Sequence, residues 1–183
     1  MSLTKVESNL LKKGVILVCG KIEQKMSDYM EESFATLYLK NSPDITVLIS
    51  SVGGNVGDGL FIYDLLSLYP GRKTAIVVGE AYSMAAIILQ ACDKRFAMRH
   101  AKILTHNTTS EIKLDVLRDK RKLRDTIADI EKRQMQQYIV VSKRSGKSIK
   151  EVRAAFAKDK PIPVDEAIKF GLLDGIWDKP LPK

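Results

Sequence analysis

"ITVLISSVGGNVGDGLFIYDLLSLYPGRKTAIVV", residues 45–78, decides the architecture. It opens with a run of apolar and β-branched residues ending at Ser50 (45–50), passes through paired glycines, takes up a helical pattern (57–69) and closes in a second apolar and β-branched run (74–78). Runs of apolar and β-branched residues without alternation read as strands covered on both faces. A helix between two such runs implies parallel pairing. The same alternation continues outward. "VILVC" (15–19) reads as a strand and "MSDYMEESFATLYLK" (26–40) as a helix; a buried-looking helix follows Ser83, and "RFAM" (95–98) and "KILTH" (102–106) read as short strands. The expected class is α/β, with a mostly parallel sheet.

The second half changes character. From Ser110 to about Lys143 there is no Pro or Gly, and Val116, Leu123, Ile127, Ile130, Tyr138 and Val141 make an approximate apolar stripe. One continuous helix of this length would reach roughly 50 Å at ~1.5 Å per residue, longer than a small domain needs. Such a helix projects or packs on another subunit. "SGKS" (145–148) breaks it, and "SIKEVRAAFAK" (148–158) follows as a helix with Ser148 and Glu151 in a capping box. "KPIPVDEAIKFGLLD" runs from a Pro-stiffened extended piece into a short helix ended by Gly171, with Asp165 reading as its N-cap.

The 183 residues suffice for a single domain with a real core, and 45% hydrophobic with 28% charged residues is a soluble, globular balance. "GVILVCG" is too short to span a bilayer and lacks a small-residue cleavage site, so no signal peptide and no membrane segment are expected. Cys19 and Cys92 each lie in an apolar run, which reads as buried free thiols in a reducing, cytoplasmic compartment. No Cys/His cluster has metal-ligand spacing, and neither a metal nor a cofactor is expected. The net charge of +8 raises a nucleic-acid partner. The densest basic stretch, "RDKRKLRDTIADIEKR", argues against one, because it interleaves acids and carries no aromatic residues for base stacking. The opening "MSL" leaves open a remnant of expression.

The chemistry gathers around "GEAYSMAAIILQAC" (79–92), where Ser83 stands at the start of an apolar helix. Serine there is commonly an N-cap, its oxygen taking an unpaired first-turn N–H. It is also where a nucleophile and an oxyanion site can be built, because free N–H groups stabilise negative charge. A base must then be His100 or His106, the only two histidines. "SVGGNVGDG" (51–59) can bring backbone N–H groups close to a ligand, but it is neither a P-loop nor G-x-G-x-x-G, and Ser83 is not in G-x-S-x-G.

Four blocks, "ISSVGGNVGDGLFIYDLL", "VVGEAYSMAAIIL", "RFAMRHAKILTHN" and "KDKPIPVDEAIKFGLLDGI", together resemble the proteolytic subunit of the Clp protease, within the crotonase-like superfamily. They occur in the family's order and cover most of the chain. The resemblance implies a repeated βαβ core, a head of about residues 14–106 and 159–183, and a protruding handle of about 107–158. It implies a serine endopeptidase acting on unfolded polypeptides or short peptides. Ser83 matches the nucleophile, His106 the base, Asp159 the acid, and Gly53 and Met84 the backbone donors of the oxyanion hole. His100, beside Arg99 in an expected turn, and Asp165 are the rivals for base and acid.

The resemblance further implies a homo-oligomeric chamber built on a heptameric ring, with a stacked double ring and docking of a Clp-type ATPase left open. Val52 stands where the family has proline, "NTTSEIKLDVLRDKRKL" lacks the family's glycines, "AKDK" replaces an arginine-flanked acid, and little precedes the matching region, so axial gating loops are expected to be missing. A crotonase-type acyl-CoA enzyme and a non-catalytic ring subunit are the competing functions; an intact Ser83/His106/Asp159 set argues against both.

Overall fold

The computed structural model describes residues 3–181; Met1 and Ser2, part of the opening that could be an expression remnant, lie outside the described residues. In chain order the elements are α1 (Lys5–Lys12), β1 (Val15–Ile22), α2 (Gln24–Tyr38), β2 (Ile45–Gly54), α3 (Val56–Leu68), β3 (Lys73–Tyr82) and α4 (Met84–Ile88). They continue with β4 (Lys94–Ala97), β5 (Lys102–Leu104), α5 (Leu114–Arg118), α6 (Lys120–Ser145), α7 (Ile149–Phe156), β6 (Ile162–Pro163), α8 (Val164–Phe170) and β7 (Gly175–Ile176). The seven strands form one sheet in the order β1-β2-β3-β4-β7, with β5 also paired to β3 and β6 paired to β5. Every pairing is parallel except β5 with β6. The expected α/β class with a mostly parallel sheet and a long helix is what the chain forms.

Two neighbours share β3 because it bends. Its first half pairs with β4 (Thr74–Val77) and its end with β5 (Glu80–Tyr82). Gly79 sits between them at φ +92°, a left-handed conformation that favours glycine. The registers of β1 and β2 shift at the same level, between Cys19 and Lys21 and between Ile49 and Ser51. The sheet therefore turns a corner, and the strand ends beyond it form a separate ledge. The strands expected over 45–50 and 74–78 are longer than the sequence suggested, because pairing carries both over the corner to Gly54 and Tyr82.

The core lies between the sheet and α2, α3 and α4. All five residues of α4 are buried, each large side chain contributing about 1.5–3 kcal/mol by leaving water. Helix α3 closes on it because Gly59 has no side chain: a Cβ there would lie 2.6 Å from Met84 Cε. The tail is tied to the sheet by buried Arg95. Its guanidinium donates to Asp174 (2.6 and 3.3 Å), to Gln90 Oε1 (2.6 Å) and to the Gly171 carbonyl (2.9 Å). Burial would raise the Asp174 pKa, but the hydrogen bonds and charge of Arg95 outweigh it and hold the carboxyl below the usual range.

Three expectations need correction. The handle helix is not continuous from Ser110: α5 ends at Arg118, and Asp119 turns extended to cap α6, accepting from Arg121 N (2.9 Å) and Lys122 N (3.1 Å). Aspartate offers the backbone this alternative to continuing a helix. The remaining 26 residues span about 39 Å at ~1.5 Å each. Second, Cys92 is buried, its thiol pushed up to about 12 by burial, but Cys19 is exposed, because β1 loses its cover as it reaches the corner. Third, Pro163 and not Asp165 holds the N-cap of α8; Asp165 lies in the first turn. Helix α1, for which no expectation was formed, starts with a Thr4–Glu7 capping box.

Along α6 no side chain from Lys120 to Gln136 is buried; Gln137, Tyr138 and Val141 are. Leu114, Leu117 and Ile127 are exposed. No described helix is long and apolar enough to cross a membrane.

Candidate active site

The ledge past the corner carries the site. Ser51 pairs with Ala81, Tyr82 with Leu104, and Ile103 with Ile162, so the ends of β2, β3, β5 and β6 stand side by side. Gly53 lies on the first, Ser83 follows the second and His106 the third, and Asp159 precedes the fourth. The sheet thus puts four of the five sequence candidates in one row, and the fifth, Met84, follows Ser83 as the first residue of α4.

Ser83 occupies the N-cap position of α4 without acting as a cap. Its side chain makes no capping bond, and its backbone is at φ +53°, ψ −123°. For a residue with a Cβ this conformation costs on the order of 1–3 kcal/mol and persists only where surrounding structure imposes it. Here the Ser83 N–H donates to the Leu104 carbonyl at 2.8 Å, pinning the turn to β5, while buried α4 pins its other side.

Gly53 lies directly against this turn. A Cβ on Gly53 would come 2.6 Å from both Ser83 Cβ and the Tyr82 carbonyl and 3.1 Å from Met84 N, and φ is +89°. Only glycine lets the β2 end approach so closely. Its N–H donates to Ser51 Oγ at 3.0 Å, a buried bond that was not anticipated from sequence. A serine two residues before a turn glycine is the signal that would have found it.

His106 is half-buried, and its Nδ1 faces Asp159 Oδ1 at 3.6 Å. That is an ion-pair distance, beyond hydrogen-bond reach. Asp159, with 68% of its side chain exposed and φ +44°, is the open end of the row. Of the rivals, His100 lies exposed in the turn between β4 and β5, and Asp165 is exposed on α8.

Two clefts border the ledge. One of ≈ 360 Å³ starts at Gly54 and Asn55 and runs along Thr108 and Thr109 to Asp129 and Arg133, which pair at 2.8 Å. A larger one of ≈ 650 Å³ lies behind β5 and β6, lined by Ile103, Ile162, Phe170 and Leu172 with Lys158 and Lys160 at its edge. The smaller adjoins the Gly53 loop and so is the better placed for a chain entering beside Ser83. Among the described residues no group of three His, Cys, Asp or Glu is placed to hold a metal ion. A serine on a strained turn, a histidine just past the neighbouring strand end, a carboxylate beyond it and a glycine loop packed against the serine are the residue types that acyl transfer uses. A family model described as Clp protease matches residues 1–180 of the chain.

Proposed function

The chain belongs to the Clp protease family, and on that premise we propose that it is a serine endopeptidase cleaving unfolded polypeptides or short peptides through Ser83, His106 and Asp159. The observation that carries the reading is the sheet order β2-β3-β5-β6, which aligns Gly53, Ser83, His106 and Asp159 on one ledge.

Ser83 Oγ attacks the scissile carbonyl carbon while His106 Nε2 takes its proton. Nδ1 is the nitrogen that faces Asp159, which leaves Nε2 for the serine. The carbonyl oxygen gains the negative charge and is stabilised by the N–H groups of Gly53 and Met84. The Gly53 N–H exchanges Ser51 Oγ for that oxygen, or shares itself between them. Collapse breaks the C–N bond as His106 returns the proton to the leaving amine. Water, deprotonated by His106, then attacks the acyl-Ser83 ester; the acyl C–Oγ bond breaks, His106 returns the proton to Ser83 Oγ, and the product carboxylic acid leaves. Asp159 holds the imidazole orientation and stabilises its charged form; in the single chain its exposure lets water compete for it.

The working form is a homo-oligomer, a heptameric ring enclosing the ledges. Supporting this are the exposed Leu114, Leu117 and Ile127 on α5 and α6 and the exposed side of Asp159, which a neighbour would shield. The test is hydrolysis of a fluorogenic peptide series with product mass analysis. Wild-type protein is expected to cleave internal bonds, and Ser83→Ala and His106→Ala to be at background. Equal turnover by wild type and Ser83→Ala would refute the mechanism.

A further inference from the structure

We propose that Tyr138, Gln137 and Gln134 of α6 are positioning residues for His106, holding the two residues that follow it; this rests on the reading of His106 as the base. The chain from Thr105 to Lys113 has no regular secondary structure, so no strand or helix ladder fixes the backbone after His106. Side chains of α6 do so instead. Tyr138 Oη donates to Asn107 Oδ1 at 2.7 Å, and Gln137 Nε2 donates to Thr108 Oγ1 at 2.9 Å. The Thr108 N–H donates to Gln134 Oε1.

These donors are themselves fixed. Gln137 is 3% exposed and Tyr138 8%, the first buried side chains met along α6. The Tyr138 ring packs edge-on against Phe156 with centroids 5.0 Å apart, and the Arg153 guanidinium lies 5.4 Å from its centre. Gln134 Nε2 is buried with no partner among the described residues, so the hydrogen bond from the Thr108 N–H is what orients its amide. A buried glutamine makes poor use of a core position unless its hydrogen bonds are needed there. Positions 134, 137, 138 and 141 share one helix face, and three of the four present polar atoms, two of the residues being bonded to Thr108 and one to Asn107.

The consequence is chemical because a base must be held closely. A displacement of ~1 Å costs on the order of 10²-fold in rate. His106 has a strand on one side and this clamp on the other. Tyr138→Phe keeps the packed ring and removes only the hydroxyl on Asn107; Asn107→Ala removes the other end. Gln137→Met keeps length and apolar bulk and removes the donor to Thr108.

The experiment uses the full chain. It measures kcat and KM on a fluorogenic peptide for wild type, Tyr138→Phe, Asn107→Ala, their double variant and Gln137→Met, with amide exchange over residues 106–109 followed by mass spectrometry. Each single variant is expected to lose about tenfold in kcat with KM unchanged. The double variant should be no worse than either single one, and exchange at 106–109 should be faster in all of them. Wild-type kcat in Tyr138→Phe and Asn107→Ala, additive losses in the double variant, or unchanged exchange would each overturn the proposal. Should wild-type protein neither cleave peptides nor label at Ser83, the peptidase reading fails on its own terms. The exchange measurement then still decides whether α6 orders the residues after His106.

Discussion

Gly53→Ala isolates the closest contact of the ledge. Gly53 is at φ +89°, and a Cβ there would sit 2.6 Å from Ser83 Cβ and from the Tyr82 carbonyl. Carbon atoms in contact prefer ~3.5–4.0 Å, so the β2 end and the Ser83 turn must separate by roughly 1 Å. The backbone conformation alone costs an alanine about 1–2 kcal/mol, and the forced overlap adds about 1–3 kcal/mol. Separation moves the Gly53 N–H away from the oxygen it would stabilise. Losing one such donor costs about 10²–10³ in kcat, and a ~1 Å misplacement costs a similar factor. The two describe one displacement and are not multiplied, so the expected loss is about 10²–10³-fold. The control is Gly146→Ala. Gly146 is also left-handed, at φ +72°, but nothing lies within 4 Å of a Cβ there. It should lose about 1–2 kcal/mol, or roughly 2–8 °C in melting temperature, with wild-type kcat. Both variants are assayed by peptide hydrolysis and thermal unfolding. A folded Gly53→Ala that keeps more than about a tenth of wild-type kcat would refute the placement of the glycine loop against the nucleophile.

Three further outcomes are expected. Asp159→Asn should fold normally and lower kcat by up to about 10⁴-fold through the wrong histidine tautomer, while Asp165→Asn stays active; the reverse result would move the acid to Asp165. Asp174→Ala strips buried Arg95 of its carboxylate and should cost about 3 kcal/mol in urea unfolding. The Asp174 pKa is depressed in the fold, so its contribution is present above the ordinary carboxylate pKa and is lost as pH falls through the folded value. The urea midpoint should therefore drop below about pH 4 in wild type and drop less in Asp174→Ala, a difference whose absence would contradict the pairing. Sedimentation should show an oligomer at low salt that loosens as salt rises, because in the proposed ring α6, with its interleaved charges and exposed apolar residues, would face the neighbours. A monomer at every salt and micromolar concentration would contradict the ring.

The β-branched runs carried the architecture because covered strands are apolar whatever lies beyond them. The ledge was harder to read. Past the corner at Gly79 the strands carry Ser51, Glu80 and Tyr82, which no apolar pattern marks, and their strand geometry comes from pairing, Ser51 with Ala81 and Glu80 and Tyr82 with β5, a tertiary fact. The long helix was overextended for a similar reason. With no Pro or Gly after Ser110 the pattern offers no stop, and only the competition of the Asp119 side chain for backbone N–H groups makes one. At the site, Gly53, Ser83 and His106 stand in recognisable motifs. Asp159 was preferred to Asp165 on the family resemblance, since no apolar pattern marks either; its Oδ1 lies 3.6 Å from His106 Nδ1. The Ser51 bond to Gly53 and the clamp from Gln134, Gln137 and Tyr138 depend on which residues meet across the fold. A polar run in phase with the α6 stripe was the trace they left in sequence.

The most direct measurement is covalent labelling with a fluorophosphonate, mapped by mass spectrometry on the folded protein. A serine activated by a neighbouring base reacts; a capping or surface serine does not. The account predicts one adduct per chain, on Ser83, absent in Ser83→Ala and forming at least about 10³-fold more slowly in His106→Ala while His100→Ala labels like wild type. No adduct on the folded protein, or one on Ser83 that forms as fast without His106, would contradict it.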